Sequence, residues 1–172
     1  MTTSATTTDS AAGDMVITNV YRVFIETTPE RVWEAITDPE WNDRYGYRAR
    51  ANYELRPGGA YVVDVTPEMA AHGAPDVIID GEVLECDPPR RLVQTWHAYF
   101  DAATAAESPT RLTWELHDLG NGVTELTLTH ELDRAPITNA ITSGQAKEGG
   151  GGWPWILSDL KTLLETGRAM GS

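Results

Sequence analysis

The sequence has a single cysteine and no long run of apolar residues. One thiol, Cys86, cannot form an internal disulfide, and no histidine or second thiol stands near it at a zinc-ligand spacing. No apolar stretch approaches the ~20 residues that a membrane-spanning helix needs, so we expect no membrane partner. Residues 1–14 lack the basic start and the apolar stretch of a secretory signal. They indicate a disordered tail on a cytoplasmic protein.

Positive charge is also scarce. The chain has 13 Lys and Arg against 26 Asp and Glu, which gives a formal net charge of −13. Such a surface repels phosphate backbones, so we expect no nucleic-acid partner. The sequence contains no Gly-x-Ser-x-Gly elbow, phosphate loop, dinucleotide fingerprint or paired metal ligands, so it predicts no cofactor and no metal site. A chain of 172 residues without repeats or a long linker predicts one domain, over residues 15–168.

Secondary-structure signals begin with a strand at residues 16–26, rich in β-branched and aromatic residues. Thr28 and Pro29 then form a helix start, with threonine at the N-cap and proline at the first helical position. Pro39 ends this helix, and residues 40–45 predict a second short helix. A glycine run precedes the last helix, residues 153–165, whose apolar residues recur at three- and four-residue steps.

The middle of the chain is mainly β. Apolar and polar residues alternate over several segments separated by turn signals, which is typical of an antiparallel sheet with one dry face. The predicted strands are 53–55, 60–66, 77–86, 91–100, 111–117 and 123–131. The alanine-rich segment 101–109 is predicted as a loop, and residues 67–75 as a loop with one helical turn around Met69. Gly81 is a candidate bend that lets the sheet curl.

These elements predict an α+β domain in which a curved antiparallel sheet surrounds a long C-terminal helix. Trp96, Trp114, Trp153 and Trp33 are expected in the space between them, because each buries a large apolar surface. Two interpretations stay open from pattern alone. The space is either a filled core or a ligand pocket with a few polar groups among its aromatic residues.

Four segments in the same order resemble the SRPBCC superfamily, and within it the homologues of the activator of the heat-shock-protein-ninety ATPase. They are residues 29–40 (PERVWEAITDPE), 56–59 (RPGG), 81–92 (GEVLECDPPRRL) and 152–157 (GWPWIL). The resemblance implies a START-like helix-grip fold: one strand, two short helices, six more strands and a long helix across a six- to seven-stranded sheet. It also implies a cavity between sheet and helix.

The resemblance implies several functions. The first hypothesis is a non-catalytic protein that binds a small hydrophobic metabolite, including polycyclic ones, and that serves sequestration or antibiotic self-resistance in secondary metabolism. The second is a cyclase- or hydrolase-type enzyme acting on a polyketide-like substrate. The third is a chaperone-interaction module, which the sequence disfavours because it contains no second domain of the kind that the chaperone activator uses for partner contact. A monomer or weak homodimer is expected.

The candidate site residues are those predicted to face the cavity or its mouth. They are Trp33, Trp41, Tyr45, Tyr61, Val63, Val83, Gln94, Trp96, Trp114, Leu126, Leu128, His130, Trp153, Leu157 and Leu160. Trp41 and Tyr45 are interpreted either as a mobile aromatic rim or as packing.

His130 is the candidate catalytic residue, because the alternation of apolar and polar residues along its strand places it on the buried face. It is either a buried neutral histidine held by a hydrogen bond or a general base that acts with Tyr61. His130 and Tyr61 are catalytic candidates only under the enzyme hypothesis.

Overall fold

The structure of the protein is a computed structural model that describes residues 16–171. The predicted tail, residues 1–14, lies outside the described residues, so the domain bounds stay a prediction. The strands are β1 (Thr18–Ile25), β2 (Ala51–Tyr53), β3 (Ala60–Asp64), β4 (Val77–Asp87), β5 (Arg91–Ala98), β6 (Thr110–Asp118) and β7 (Thr124–Glu131). The helices are α1 (Pro29–Thr37), α2 (Pro39–Asn42), α3 (Pro67–Ala71), α4 (Ala102–Ala105), α5 (Pro136–Thr142) and α6 (Gly152–Thr166), with a 3-10 turn at Lys147–Gly149.

The strands form one antiparallel sheet in the order β1-β7-β6-β5-β4-β3-β2. Its dry face and the helix α6 contribute to the same core. The predicted α+β helix-grip fold is therefore confirmed, including the two short helices after the first strand and the long C-terminal helix.

The start of α1 forms as the sequence predicts. The Thr28 hydroxyl accepts a hydrogen bond from the Arg31 amide at 3.4 Å, and Pro29 occupies the first turn. The cap supplies a partner for an amide that has none inside the helix. Val32 and Trp33 then lie on the buried side, so α1 covers one end of the core.

The alternation on β7 orients its side chains as predicted. Leu126, Leu128 and His130 are buried, whereas the residues between them are half-buried on the other face. Because side chains on a strand alternate between faces, one register fixes which of them enter the core.

The final helix packs its apolar stripe on the sheet. Trp153, Leu157, Leu160 and Leu163 are buried, and each such side chain stabilises the fold by roughly 1.5–3 kcal/mol. Gly167 ends the helix at a φ of 83°, and its amide donates to the Leu163 carbonyl at 2.8 Å. This left-handed cap is a conformation that glycine adopts without a Cβ penalty.

Two short helices depart from the sequence prediction. The predicted loop 101–109 contains α4, and α5 was not predicted at all. The Glu107 carboxylate caps α5, because its oxygens accept from the amides of Ile137 (2.7 Å) and Thr138 (2.9 Å). A cap supplied from 30 residues away leaves no local N-cap signal in the sequence.

Gly81 lies where the backbone of the neighbouring strand approaches closely, and the bend expected there stays a prediction. The register of β4 against β5 shifts between Val83 and Glu85, which is where the strand is irregular. At Gly81 a Cβ would lie 2.0 Å from the Thr95 carbonyl oxygen. Glycine is required there because the neighbouring backbone approaches closely.

Candidate ligand-binding cavity

A cavity of about 150 Å³ lies between the dry face of the sheet and α6. Its wall includes side chains from β3, β4, β5, β6 and α6, together with the loop that joins α2 to β2. Most of the wall is apolar, and aromatic residues occur on every side. Arg48 is the one charged residue among those that line it.

The structure brings six of the predicted site residues to this cavity wall. They are Tyr45, Tyr61, Val63, Trp96, Trp114 and Trp153. The other predicted site residues do not line the cavity, and they lie in the core or nearer the surface. They are Trp33, Trp41, Val83, Gln94, Leu126, Leu128, His130, Leu157 and Leu160.

Three tryptophans form an aromatic cluster at the inner end of the cavity. The Trp153 ring lies 5.6 Å from the Trp114 ring at an interplanar angle of 89°, and 6.2 Å from the Trp96 ring at 53°. Tilted and edge-to-face pairs at these separations are favourable, so the three rings stabilise one another. They present fixed aromatic surface to the void.

Tyr45 and Trp41 have different environments. Tyr45 is buried in the wall, where its hydroxyl donates to the Ala35 carbonyl at 2.7 Å. Trp41 is half-buried, with the guanidinium groups of Arg44 and Arg31 at 4.5 Å and 5.5 Å from its ring. The two aromatic residues therefore do not share one surface of the cavity.

His130 joins the sheet to the final helix behind the tryptophan cluster. Trp153 Nε1 donates to His130 Nδ1 at 3.1 Å, and His130 Nε2 lies 2.8 Å from Thr110 Oγ1. An indole N–H can only donate, so Nδ1 is the acceptor and Nε2 carries the proton. The Thr110 hydroxyl in turn donates to the Trp96 carbonyl at 2.7 Å.

Both ring nitrogens of His130 are thus engaged within the core. Burial lowers the pKa of His130 to about 3, because a charged imidazolium is disfavoured away from water. The ring is neutral at physiological pH, and its one lone pair already accepts a hydrogen bond. It has no free site at which to take a proton from a ligand.

Two tyrosines lie side by side on the adjoining wall. The rings of Tyr53 and Tyr61 are 4.6 Å apart, and the Tyr53 hydroxyl donates to Gln94 Oε1 at 2.7 Å. Burial raises the pKa of both phenols well above the ordinary tyrosine value. Neither phenol ionises at physiological pH, so both act as neutral hydrogen-bonding groups.

Some buried donors near the cavity lack partners. Within residues 16–171, Trp114 Nε1 and Gln94 Nε2 have no hydrogen-bond partner. A buried donor left unpaired destabilises a protein by roughly 1–3 kcal/mol. Trp114 also lines the cavity.

The mouth of the cavity is built by two loops tied together. Tyr47 donates to the Gly149 carbonyl at 2.7 Å and accepts from the Gly152 amide at 2.9 Å. The Gly46 amide donates to the Asp159 carboxylate at 2.8 Å. These contacts hold the loop between α2 and β2 against the start of α6. Met69, on α3, also contributes to the wall.

The sequence interpretation missed several wall residues. Arg48, Phe100, Ile79 and Ile156 were not proposed as site residues, although all four line the cavity. Ile156 lies on the apolar stripe of α6, which was a usable signal. Arg48 follows Tyr45 and Tyr47 in the loop that was expected at the mouth, but a lone arginine in a loop carries no pattern.

The described residues form no metal site of the usual acidic or thiol kind. Within residues 16–171, no group of three or more His, Cys, Asp or Glu side chains is arranged to hold a metal ion. None of the helices described here is both long and apolar enough to span a membrane. Cys86 is half-buried, and burial together with the nearby Asp87 raises the pKa of its thiol.

Residues 26–165 match the family model described as Activator of Hsp90 ATPase homolog 1-like protein. The chain belongs to this family. The match covers α1, every strand except β1, and α6 almost to its end. The family resemblance predicted from the four sequence segments is therefore confirmed.

Several solved structures share the fold of this chain. CalU16 from Micromonospora echinospora is 20% identical, with a TM-score of 0.59, over 90% of this chain and 86% of that chain. An HSP90 activator from Plasmodium falciparum is 18% identical, with a TM-score of 0.59, over 86% and 95%. The Aha1 dimer from Colwellia psychrerythraea is 16% identical, with a TM-score of 0.62, over 89% and 99%. At these identities the likeness establishes the fold alone. No curated protein matches the chain.

Proposed function

We propose that this protein binds a small, mostly aromatic molecule in the cavity between sheet and α6 and releases it unchanged. The observation that carries the proposal is a cavity of about 150 Å³, partly open to solvent, whose apolar wall includes several tryptophan and tyrosine rings. An ordinary core is packed to crystal-like density and leaves few voids larger than a water molecule. A preformed apolar void with few polar groups is typical of small-molecule sites.

The size of the cavity limits the ligand. An engineered apolar cavity of about 150 Å³ in another protein holds a benzene molecule. The cavity here therefore accommodates roughly one or two fused rings without rearrangement. A larger polycyclic ligand requires that the loop bearing Tyr47 or the helix α3 move outward.

The environment of His130 argues for binding rather than turnover. A general base needs a free lone pair within hydrogen-bond reach of the proton that it removes. Nδ1 of His130 accepts from Trp153, Nε2 bonds Thr110, and the residue lies outside the lining set. The cyclase or hydrolase hypothesis based on His130 with Tyr61 therefore has little support.

A sequestering role in self-resistance remains a prediction from the sequence resemblance. Binding alone protects a producing cell if the bound product is toxic and the protein is abundant enough. Purification from the native host followed by native mass spectrometry tests this role, because a co-purifying molecule identifies the ligand class. Recovery of a ligand without secondary-metabolite character contradicts it.

The direct test of binding is to titrate the protein with 2-naphthol and to measure the heat of binding by isothermal titration calorimetry. We expect a dissociation constant of about 100 µM or lower, since ligands of this size gain roughly 0.5 kcal/mol per non-hydrogen atom. Ile79→Phe extends a side chain into the cavity and should weaken binding at least tenfold. Ile137→Phe is the matched control, because Ile137 is 42% exposed and does not line the cavity. No heat of binding for the unaltered protein would contradict the proposal.

Chaperone interaction is a second candidate, favoured by the family match over residues 26–165. Two of the similar structures are described as an HSP90 activator and an Aha1 dimer. We expect weak or no stimulation of an Hsp90 ATPase by this chain if ligand binding is its role. A several-fold stimulation that survives the Ile79→Phe change would favour the chaperone function instead.

A further inference from the structure

Arg48 is the one charged residue in the cavity wall, and its side chain has no protein partner. Among residues 16–171, no hydrogen bond or ion pair engages the Arg48 side chain, whereas the neighbouring Arg50 pairs with Asp43 at 2.6 Å. Arg48 is also exposed to solvent, so a ligand that enters the cavity can reach its guanidinium without breaking an existing ion pair.

The backbone fixes Arg48 at the mouth. Its φ is 61°, and its amide donates to the Tyr45 carbonyl at 3.0 Å, which closes the turn. A non-glycine residue in this left-handed region is strained, and such strain clusters at ligand sites. Arg134, at a φ of 58°, has the same backbone feature but does not line the cavity. The strain alone is therefore not diagnostic, and the position of Arg48 in the wall is what matters.

We infer that the ligand of this cavity carries a carboxylate that pairs with the Arg48 guanidinium while its aromatic part lies among the tryptophans. The inference rests on the proposed function and adds the chemical class of the ligand. A guanidinium binds a carboxylate through two parallel N–H donors, which fixes orientation as well as charge. An acceptor oxygen elsewhere on the ligand would also complement the unpaired Trp114 N–H.

The charges around the mouth restrict where the carboxylate lies. Arg48 also borders an outer cleft that includes three acids, Asp43, Asp64 and Glu68, together with Arg50, which pairs with Asp43. Three acids against two arginines leave this cleft net negative, and the net charge of −13 gives no general attraction for anions. The carboxylate therefore approaches Arg48 from the cavity side, with its ring inward.

The test compares two probes that share a ring system and differ in charge. For the unaltered protein, 2-naphthoate should bind roughly five- to tenfold more tightly than 2-naphthamide at low ionic strength. Added salt should reduce this ratio, because a partly exposed ion pair is screened. Arg48→Asn should bring the ratio to about one, since asparagine tolerates a positive φ and removes the charge. Arg48→Lys should keep part of the preference.

Arg134→Asn is the matched control, because it removes an arginine with the same backbone conformation at a site outside the cavity. It should leave the ratio unchanged. The inference is overturned if the unaltered protein binds naphthamide as tightly as naphthoate, if Arg48→Asn keeps the preference, or if Arg134→Asn also abolishes it. In those cases the proposed function stands, because a neutral aromatic probe still binds. If neither probe binds, both the proposed function and this inference fail.

Discussion

The indole N–H of Trp153, on α6, donates to Nδ1 of His130, on β7, across 3.1 Å. This bond connects the final helix to β7, the strand next to the edge strand β1, at a tryptophan that lines the cavity. It also fixes the tautomer of the histidine, whose Nε2 then bonds Thr110. Both ring nitrogens of His130 are therefore engaged within the core.

Unfolding stability should depend on pH through His130. The pKa of this histidine is about 3 in the folded protein and 6.5 as its ordinary value. Between these values the unfolded chain binds more protons, so the free energy of unfolding rises with pH. The contribution is complete above pH 6.5 and is lost as the pH falls. We expect a loss of about 2 kcal/mol between pH 6.5 and about pH 5.

Urea unfolding at several pH values measures this effect. His130→Gln should remove that part of the pH dependence, whatever its absolute stability, whereas His117→Gln, at an exposed position on β6, should keep it. Equal stability of the unaltered protein at both ends of the interval would show that His130 is not held neutral.

Replacing Trp153 should weaken the fold through His130. Trp153→Phe removes the indole donor, leaves Nδ1 of His130 unpaired and creates a small void. We expect a loss of about 2–4 kcal/mol in the free energy of unfolding. Trp155→Phe changes the same residue type two positions later, at a side chain that is 41% exposed, and should change stability by no more than about 0.5 kcal/mol. Similar losses in both variants would argue against a special role for the Trp153–His130 bond.

Asp159 is a buried carboxylate on α6 that holds two chain segments. Its Oδ2 accepts from the Gly46 amide at 2.8 Å and its Oδ1 from the Met170 amide at 2.7 Å. Asp159→Asn places an amide donor opposite one of these N–H groups, so we expect a loss of about 2–3 kcal/mol. Asp76→Asn, at an exposed position, is the control. Chemical denaturation compares the two, and an unchanged midpoint for Asp159→Asn would refute the prediction.

Gly81 should not tolerate a side chain. A Cβ there would lie 2.0 Å from the Thr95 carbonyl oxygen, so Gly81→Ala forces β4 and β5 apart. We expect destabilisation of about 3 kcal/mol, visible as a lower Tm. Gly149→Ala should be much milder, because its Cβ would meet Ile141 at an ordinary 3.4 Å. A Tm of Gly81→Ala equal to that of the unaltered protein would mean that the strands separate without cost.

Local patterns were sufficient for most elements. Thr28 and Pro29 predicted the start of α1. The alternation along β7 correctly predicted that Leu126 and His130 are buried. The helix α5 was missed because its N-terminal partner, Glu107, lies far away in the sequence. The close approach of the Thr95 carbonyl to Gly81 was also not predicted, since an approach between strands is not visible in one strand's pattern.

The site was predicted less completely than the fold. Burial was correctly expected for Trp96, Trp114 and Trp153, yet other predicted residues such as Leu128 and Leu160 lie in solid core. Hydrophobic periodicity identifies which side chains leave water. It does not say whether those side chains meet each other or surround a void.

The sequence by itself indicated the family, through the resemblance of four segments. It also determined most of the strands and helices and the faces that they bury, because these follow from short-range periodicity, capping and turn chemistry; α4 and α5 are the exceptions. Only the tertiary structure decided that a void remains beside Trp153, that both nitrogens of His130 are engaged, and that Arg48 reaches the cavity without a partner. The physical reason is that these features depend on how elements distant in sequence approach one another, to within about an ångström, which no local pattern encodes.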